Sequence, residues 1–223
     1  MRALPSRVGS LASLAAPEVV PVRGDLAALF PWGGLRRGST VAVRGSVALL
    51  LALLVEVTEG GGWVALVGVP QVGLLAAAEM GVRVERVVVV PSPGAEFAST
   101  VAALLDGVDV VAVSGARVVD SLARKLSARA RGRGAVLLSF GAWPGAEVEL
   151  AREGDRWWGL GVGHGRLRGR VTGVVARGRG AAARPRRCDV VLQGESEPGR
   201  LTFDMIEHTF ESNVGGVERG STS

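Results

Sequence analysis

The sequence predicts an α/β fold built on a mostly parallel sheet flanked by helices, and three observations carry that expectation. Short apolar runs alternate with helix-length segments along the first two thirds of the chain. The runs are apolar at nearly every position rather than at every second one, and glycines punctuate their boundaries. Strands covered on both faces by crossover helices need this pattern. Hydrophobic residues make up 48% of 223 residues, enough for a substantial core and too many for a disordered chain. The length sets an expectation of one domain.

The elements follow in order. Residues 1–24 hold Pro5, Pro17 and Pro21 without a sustained period and read as a loose N-terminal arm. Asp25 to Phe30 reads as one helical turn capped by Asp25 and ended by Pro31. Thr40–Arg44 is a strand, and Val47–Glu59 a helix closed by Gly60, Gly61 and Gly62. Trp63–Val67, Arg86–Ser92, Val108–Gly115 and Ala135–Phe140 are further strands. Between them, Leu74–Met80, Ala95–Asp106 and Arg117–Arg131 carry helical patterns. Past Gly141 the helices stop. EVELARE, DRWWGLGVG, RLRGRVTGVVARG and CDVVLQG read as strands joined by glycine turns, an antiparallel extension over 142–194. The expected domain therefore runs over 25–194, its parallel part to about 141, with an acidic C-terminal tail at 195–223 that is partly disordered.

Composition narrows the function classes. No apolar run reaches the roughly 18 residues of a membrane span. The N-terminus, with Arg2, Arg7 and SLASLAA, has the charge but not the apolar length of a signal peptide, so the expectation is cytoplasmic. Cys188 is the only cysteine, and His164 and His208 stand far apart, which leaves no expected metal site or internal disulfide. No Ser/His/Asp or Cys/His arrangement stands out. The net charge is +5, carried almost entirely by arginine; Lys125 is the only lysine.

That single lysine matters at GGLRRGSTVAVRGSVALLLALL, residues 33–54, which has the outline of an approach to a phosphate-binding loop. Such a loop needs a glycine-rich turn, a lysine for the β/γ oxygens and a Ser/Thr hydroxyl for magnesium at the helix start. Here the strand ends at Arg44 and Gly45 and the helix begins within two residues, with Ser46 as its cap. Ser114 stands where a strand-end carboxylate would hold magnesium, and Val69 where a carboxylate would activate water. Gly45, Ser46, Val69 and Ser114 thus read as a degenerate nucleotide site. Three separate chemical roles are missing together, and the expectation is a protein that is not an enzyme and takes no cofactor.

The order of these segments resembles the RecA-like fold. GGLRRGSTVAVRG is similar to the lead into the RecA nucleotide loop, and GWVALVG…AAAEMGVRVERVVVVPS to the following strand, helix and strand. GVDVVAVSG sits at the magnesium-binding strand, and LARKLSARARGRGAVLLSF resembles the helix and strand after it. WWGLGVGHGRLRGRVTGVVARGRGAAARPRR is similar to the basic tail segment of RecA-related mutagenesis proteins. Over residues 26–193 the chain resembles the ImuA family, in its actinobacterial form without nucleotide motifs. The resemblance implies an accessory role in damage-induced translesion synthesis and mutagenesis. The implied partners are an inactive Y-family polymerase homologue (ImuB) and, through it, an error-prone C-family polymerase and the sliding clamp. A cell-division inhibitor of the SulA type, binding the tubulin-like division protein, is the alternative.

Two candidate binding regions remain. Arg166, Arg168, Arg170, Arg177, Arg179, Arg184, Arg186 and Arg187 fall in 22 positions with no acidic residue among them. They read as a DNA phosphate-tracking surface, a contact for an acidic protein, or a solvated face. Trp157 and Trp158, on a strand, point to opposite faces, so one is expected in the core and the other exposed or at an interface. Phe203, Ile206 and Phe210, at i, i+3 and i+7, make an apolar stripe that either docks on a partner or packs on its own domain.

Overall fold

The strand Thr40–Arg44 stands between the parallel strands and the antiparallel ones, and the chain arranges itself on either side of it. The computed structural model describes residues 17–69, 72–114, 118–160 and 165–194, and within these the side chains of 158–160, 165–168 and 193–194 lie outside the description. The elements are β1 (Val19–Pro21), α1 (Gly24–Ala27), β2 (Gly34–Arg36), β3 (Thr40–Arg44), α2 (Val47–Ala52), α3 (Val55–Glu59), β4 (Val64–Val67) and α4 (Leu74–Glu79). Then follow β5 (Val87–Val90), α5 (Phe97–Leu104), β6 (Val110–Ser114), α6 (Asp120–Arg133), β7 (Val136–Phe140), β8 (Val148–Leu160), β9 (Gly165–Gly178) and β10 (Arg186–Gly194).

Eight strands form one sheet in the order β10-β9-β8-β3-β7-β6-β4-β5. β3 pairs in parallel with both β7 and β8, β6 with β7 and β4, and β4 with β5. β9 runs antiparallel to β8 and β10. This mostly parallel sheet, flanked by helices and extended by antiparallel strands in the last third, is the architecture that the RecA-like resemblance implies.

Burial explains the apolar runs. All of Val64–Val67 and four of the five residues in each of β3, β6 and β7 are buried. Alternate side chains enter two separate layers, as the two-residue period of a strand requires. Val41 and Val43 join Leu49, Leu50, Leu66 and Leu138 beneath α1 to α3. Ala42 joins Ala65, Val113, Leu137, Leu126 and Trp143 beneath α5 and α6. β5 departs from the expectation of two-sided burial: Val88 and Val89 are exposed because β5 is the edge of the sheet.

Four further differences have local causes. The segment 17–24 is not a loose lead-in: Val19–Pro21 pairs antiparallel with β2, and Val20 and Val22 are buried. Gly34 permits that approach, since a Cβ there would stand 2.7 Å from the Val20 carbonyl oxygen. Asp25 lies inside the first turn of α1 and pairs with Arg23 rather than capping the helix. The single helix expected over Val47–Glu59 breaks at Leu53 and Leu54, where the Leu54 N–H bonds the Leu51 carbonyl at 2.9 Å. Thr58 Oγ1 shares its proton between the carbonyls of Leu54 and Val55, a back-bond that bends helices. EVELARE and DRWWG are one strand, β8, with a register shift between Arg152 and Gly154 that marks a bulge rather than a turn.

The residues 1–16, the tail 195–223 with Phe203, Ile206 and Phe210, and the side chains of Trp158, Arg166 and Arg168 lie outside the described residues. Among the described residues no helix is long and apolar enough to cross a membrane.

Leu50 is fully buried on α2. Leu50→Ala is expected to lower unfolding stability by about 2–5 kcal/mol in urea denaturation. A loss below about 1 kcal/mol would show that α2 does not seal this layer.

Candidate functional site

At the carboxyl end of β3 the chain turns into α2 through two residues. Gly45 takes φ +78, a left-handed conformation suited to glycine, and Ser46 is extended and buried. The Leu49 N–H donates to Ser46 Oγ at 3.1 Å, and the Leu50 N–H to the Ser46 carbonyl at 3.2 Å. Ser46 therefore spends its hydroxyl on a helix N-cap, as its position predicts. Leu49, Leu50, Leu51 and Ala52 follow at once into the core. The guanidinium of Arg44, at the strand end, pairs with Glu149 of β8 at 3.2 Å.

The neighbouring strand ends are equally spare in chemistry. Gly68 turns with φ +65 after β4, and its N–H bonds the Val90 carbonyl of β5 at 2.9 Å. A Cβ on Gly68 would touch Pro93 at 3.7 Å and Ser114 at 4.0 Å. Val69 is buried in the same layer as α2, and Ser114 is half-buried at the end of β6. Gly45, Ser46, Val69 and Ser114 offer no carboxylate and no cationic side chain. Lys125 lies on α6, whose apolar face packs in the layer on the opposite side of the sheet from α2.

The arginine stretch differs from the uncompensated surface expected of it, because β8 lays carboxylates beside it. Arg187 binds Glu153 at 3.0 Å, with Arg177 at 3.8 Å from the same carboxylate. That hydrogen bond raises the Arg187 guanidinium still further above its ordinary range. Trp157 pairs in register with Arg170 and Asp155 with Thr172. Arg170 consequently stacks over the Trp157 ring at 5.2 Å and stands 3.8 Å from Asp155, which also accepts from Thr172 Oγ1 at 2.8 Å. Trp157 is half exposed. The signal for this compensation is in the acidic residues of EVELAREGD, which face the arginines only once the register of β8 and β9 is known.

Three arginines of the stretch keep a different character among the described residues. Arg184 is exposed and Arg186 half-buried, neither in an ion pair with a described carboxylate. Arg179 donates through Nη2 to the backbone carbonyls of Gly145 and Ala146. It lines a cleft together with Arg124 and Arg131 of α6, two residues that the sequence pattern does not single out because they sit in an ordinary charged helix.

Cys188 is half-buried against the layer beneath α1 to α3. Burial, then the carboxylates of Asp25 and Asp189, push its thiol up to about 12, so it stays protonated at neutral pH. Among the described residues no group of three or more His, Cys, Asp or Glu side chains could hold a metal ion.

With this geometry in view, the likenesses to known proteins take their place. The profile of the family described as the MT3502 N-terminal domain matches residues 28–145. The chain is 41% identical over 131 residues to the uncharacterized protein Rv3395c of Mycobacterium tuberculosis, a match covering 57% of this chain and 64% of that protein. The chain thus spans less than two thirds of that relative's length. It is also similar to the crystal structure of the flagellar accessory protein FlaH from Methanocaldococcus jannaschii. That likeness has 13% identity and a TM-score of 0.48, and covers 79% of this chain and 93% of the other.

Ser46→Ala is expected to cost about 1 kcal/mol of stability through loss of the cap, read by urea denaturation. A change of only a few tenths of a kcal/mol, the size seen when a cap is exchanged for glycine, would show that the hydroxyl does not hold the helix start.

Proposed function

The chain belongs to the MT3502 N-terminal domain family, and from that premise we propose that it is a non-catalytic, RecA-like accessory protein of damage-induced translesion synthesis and mutagenesis. On this reading it is ImuA-like. It binds an inactive Y-family polymerase homologue of the ImuB kind and, through it, works beside an error-prone C-family polymerase and the sliding clamp. It also contacts DNA.

One observation carries the reading. The junction from β3 to α2, where a phosphate loop would sit, is two residues long, and its hydroxyl is engaged in capping the helix. Phosphoryl transfer relies on positioning and on charge supplied by a lysine, a metal ligand and a water-orienting group acting together. The positions that would carry those roles hold Ser46, Ser114 and the buried Val69. A frame kept without these groups is suited to holding partners, and the resemblance over residues 26–193 supplies the partner class.

The test is a pull-down of a purified Y-family polymerase homologue of the ImuB kind, using the full chain and a version ending at Glu195. The full chain is expected to retain the homologue at stoichiometric levels. Loss of retention in the shortened version would assign the contact to the segment with Phe203, Ile206 and Phe210. Absence of retention by the full chain overturns the partner role.

A further inference from the structure

We propose that the cleft between α6 and the turn after β9 holds the phosphodiester backbone of nucleic acid, with Arg124, Arg131 and Arg179 as its phosphate ligands. The proposal rests on the DNA-contacting part of the reading above and gives it a place. That place lies mostly outside the arginine stretch to which the sequence directs attention.

The cleft has a volume of about 500 Å³. Its charge is set by a contrast within one helix. Arg129 and Arg133 of α6 both pair with Asp106 of the neighbouring segment, at 2.5 and 3.0 Å. Arg124 and Arg131, on the side of α6 that lines the cleft, pair with no carboxylate among the described residues. Arg179 comes from the far end of β9 and contacts only backbone carbonyls. Asp120, the one carboxylate lining the cleft, makes no ion pair with any of the three among the described residues. Three cations therefore face one anion.

Two features make this a formed site rather than a loose set of charges. Arg179 is already held by the carbonyls of Gly145 and Ala146, so less side-chain freedom is lost when it takes a ligand. Ser127 also lines the cleft, and its Oγ accepts from both Thr40 Oγ1 and Trp143 Nε1, each at 3.0 Å. These two bonds fix the Ser127 hydroxyl at the cleft wall. Guanidinium plus hydroxyl is a donor set that positions nucleic-acid phosphates.

Extent and lining point to a polymer backbone. Arg124 and Arg131 stand seven residues apart on a helix, about 10 Å along its axis, a span that an extended polyanion can bridge and one free phosphate cannot. The lining has no exposed aromatic ring on which a base could stack, since Trp143 is buried with its N–H already engaged. It also has no large apolar side chain to anchor a peptide. Recognition is therefore of phosphates, indifferent to sequence and steeply dependent on salt.

The experiment measures binding of a fluorescein-labelled, mixed-sequence DNA duplex by anisotropy across a salt series, with circular dichroism to confirm folding. The variants are Arg124→Gln, Arg131→Gln, the pair together, and Arg124→Lys/Arg131→Lys. Arg83→Gln serves as a single-charge control on the other side of the sheet. The slope of log K against log salt is expected to become shallower by about 0.9 for each glutamine introduced. The lysine pair and Arg83→Gln should keep the wild-type slope. A folded glutamine pair with the wild-type slope overturns the cleft assignment while leaving DNA contact standing. No DNA binding by the wild-type chain overturns both, without touching the partner pull-down. Poly-glutamate that binds the wild type, is lost in the glutamine pair and leaves DNA affinity unchanged assigns the cleft to an acidic protein instead.

Discussion

β3 pairs in parallel with β7 on one edge and with β8 on the other, so the whole sheet is built outward from it. A strand paired on both edges and covered on both faces favours apolar side chains. Val41, Ala42 and Val43 are accordingly all but fully buried. The same pairing joins the two halves of the chain. On one side the crossover strands and helices follow in order, and on the other β8 starts the antiparallel run that carries most of the charge. The two-residue turn out of β3 sets how α2 enters the core, so the closure of the would-be phosphate loop and the sealing of the layer beneath α2 are one local event.

Charge is organised by that topology as much as by composition. The antiparallel strands β8, β9 and β10 place Glu153 near Arg177 and Arg187 and Asp155 near Arg170, pairing three arginines of a basic sequence stretch. The exposed pairs of Glu153 contribute little to stability, but they remove charge that would otherwise be offered to a ligand. Just past the carboxyl end of β9, Arg179 meets Arg124 and Arg131 of α6 in a cleft where none of the three is paired with a described carboxylate. On the function proposed above, this separates a partner-holding frame from a surface that tracks phosphate.

Much of the fold was legible in the sequence because buried parallel strands announce themselves. Thr40–Arg44 matches its element residue for residue, and β4, β5, β6 and β7 agree within two residues at each end. The antiparallel extension was legible from the loss of helical periodicity after Gly141. What escaped had short-range causes that periodicity does not record. β1 and β2 are three residues each and exist through their pairing and the space left at Gly34. The break at Leu53 coincides with a tightened turn from the Leu54 N–H to the Leu51 carbonyl, and β8 is continuous through a bulge where Gly154 suggested a turn. At the candidate site, the cap role of Ser46 was readable from its position before an apolar helix. The pairing of Arg170, Arg177 and Arg187 with carboxylates of β8 was not, because it depends on strand register, and Arg124 and Arg131 became notable only when the fold set them beside Arg179.

On the function proposed above, the chain has a RecA-like frame without the groups that would handle a nucleotide. Isothermal titration calorimetry of the full chain with ATP and magnesium is the measurement that decides it. No saturable heat of binding is expected; saturable, magnesium-dependent binding in the micromolar range would overturn the proposal.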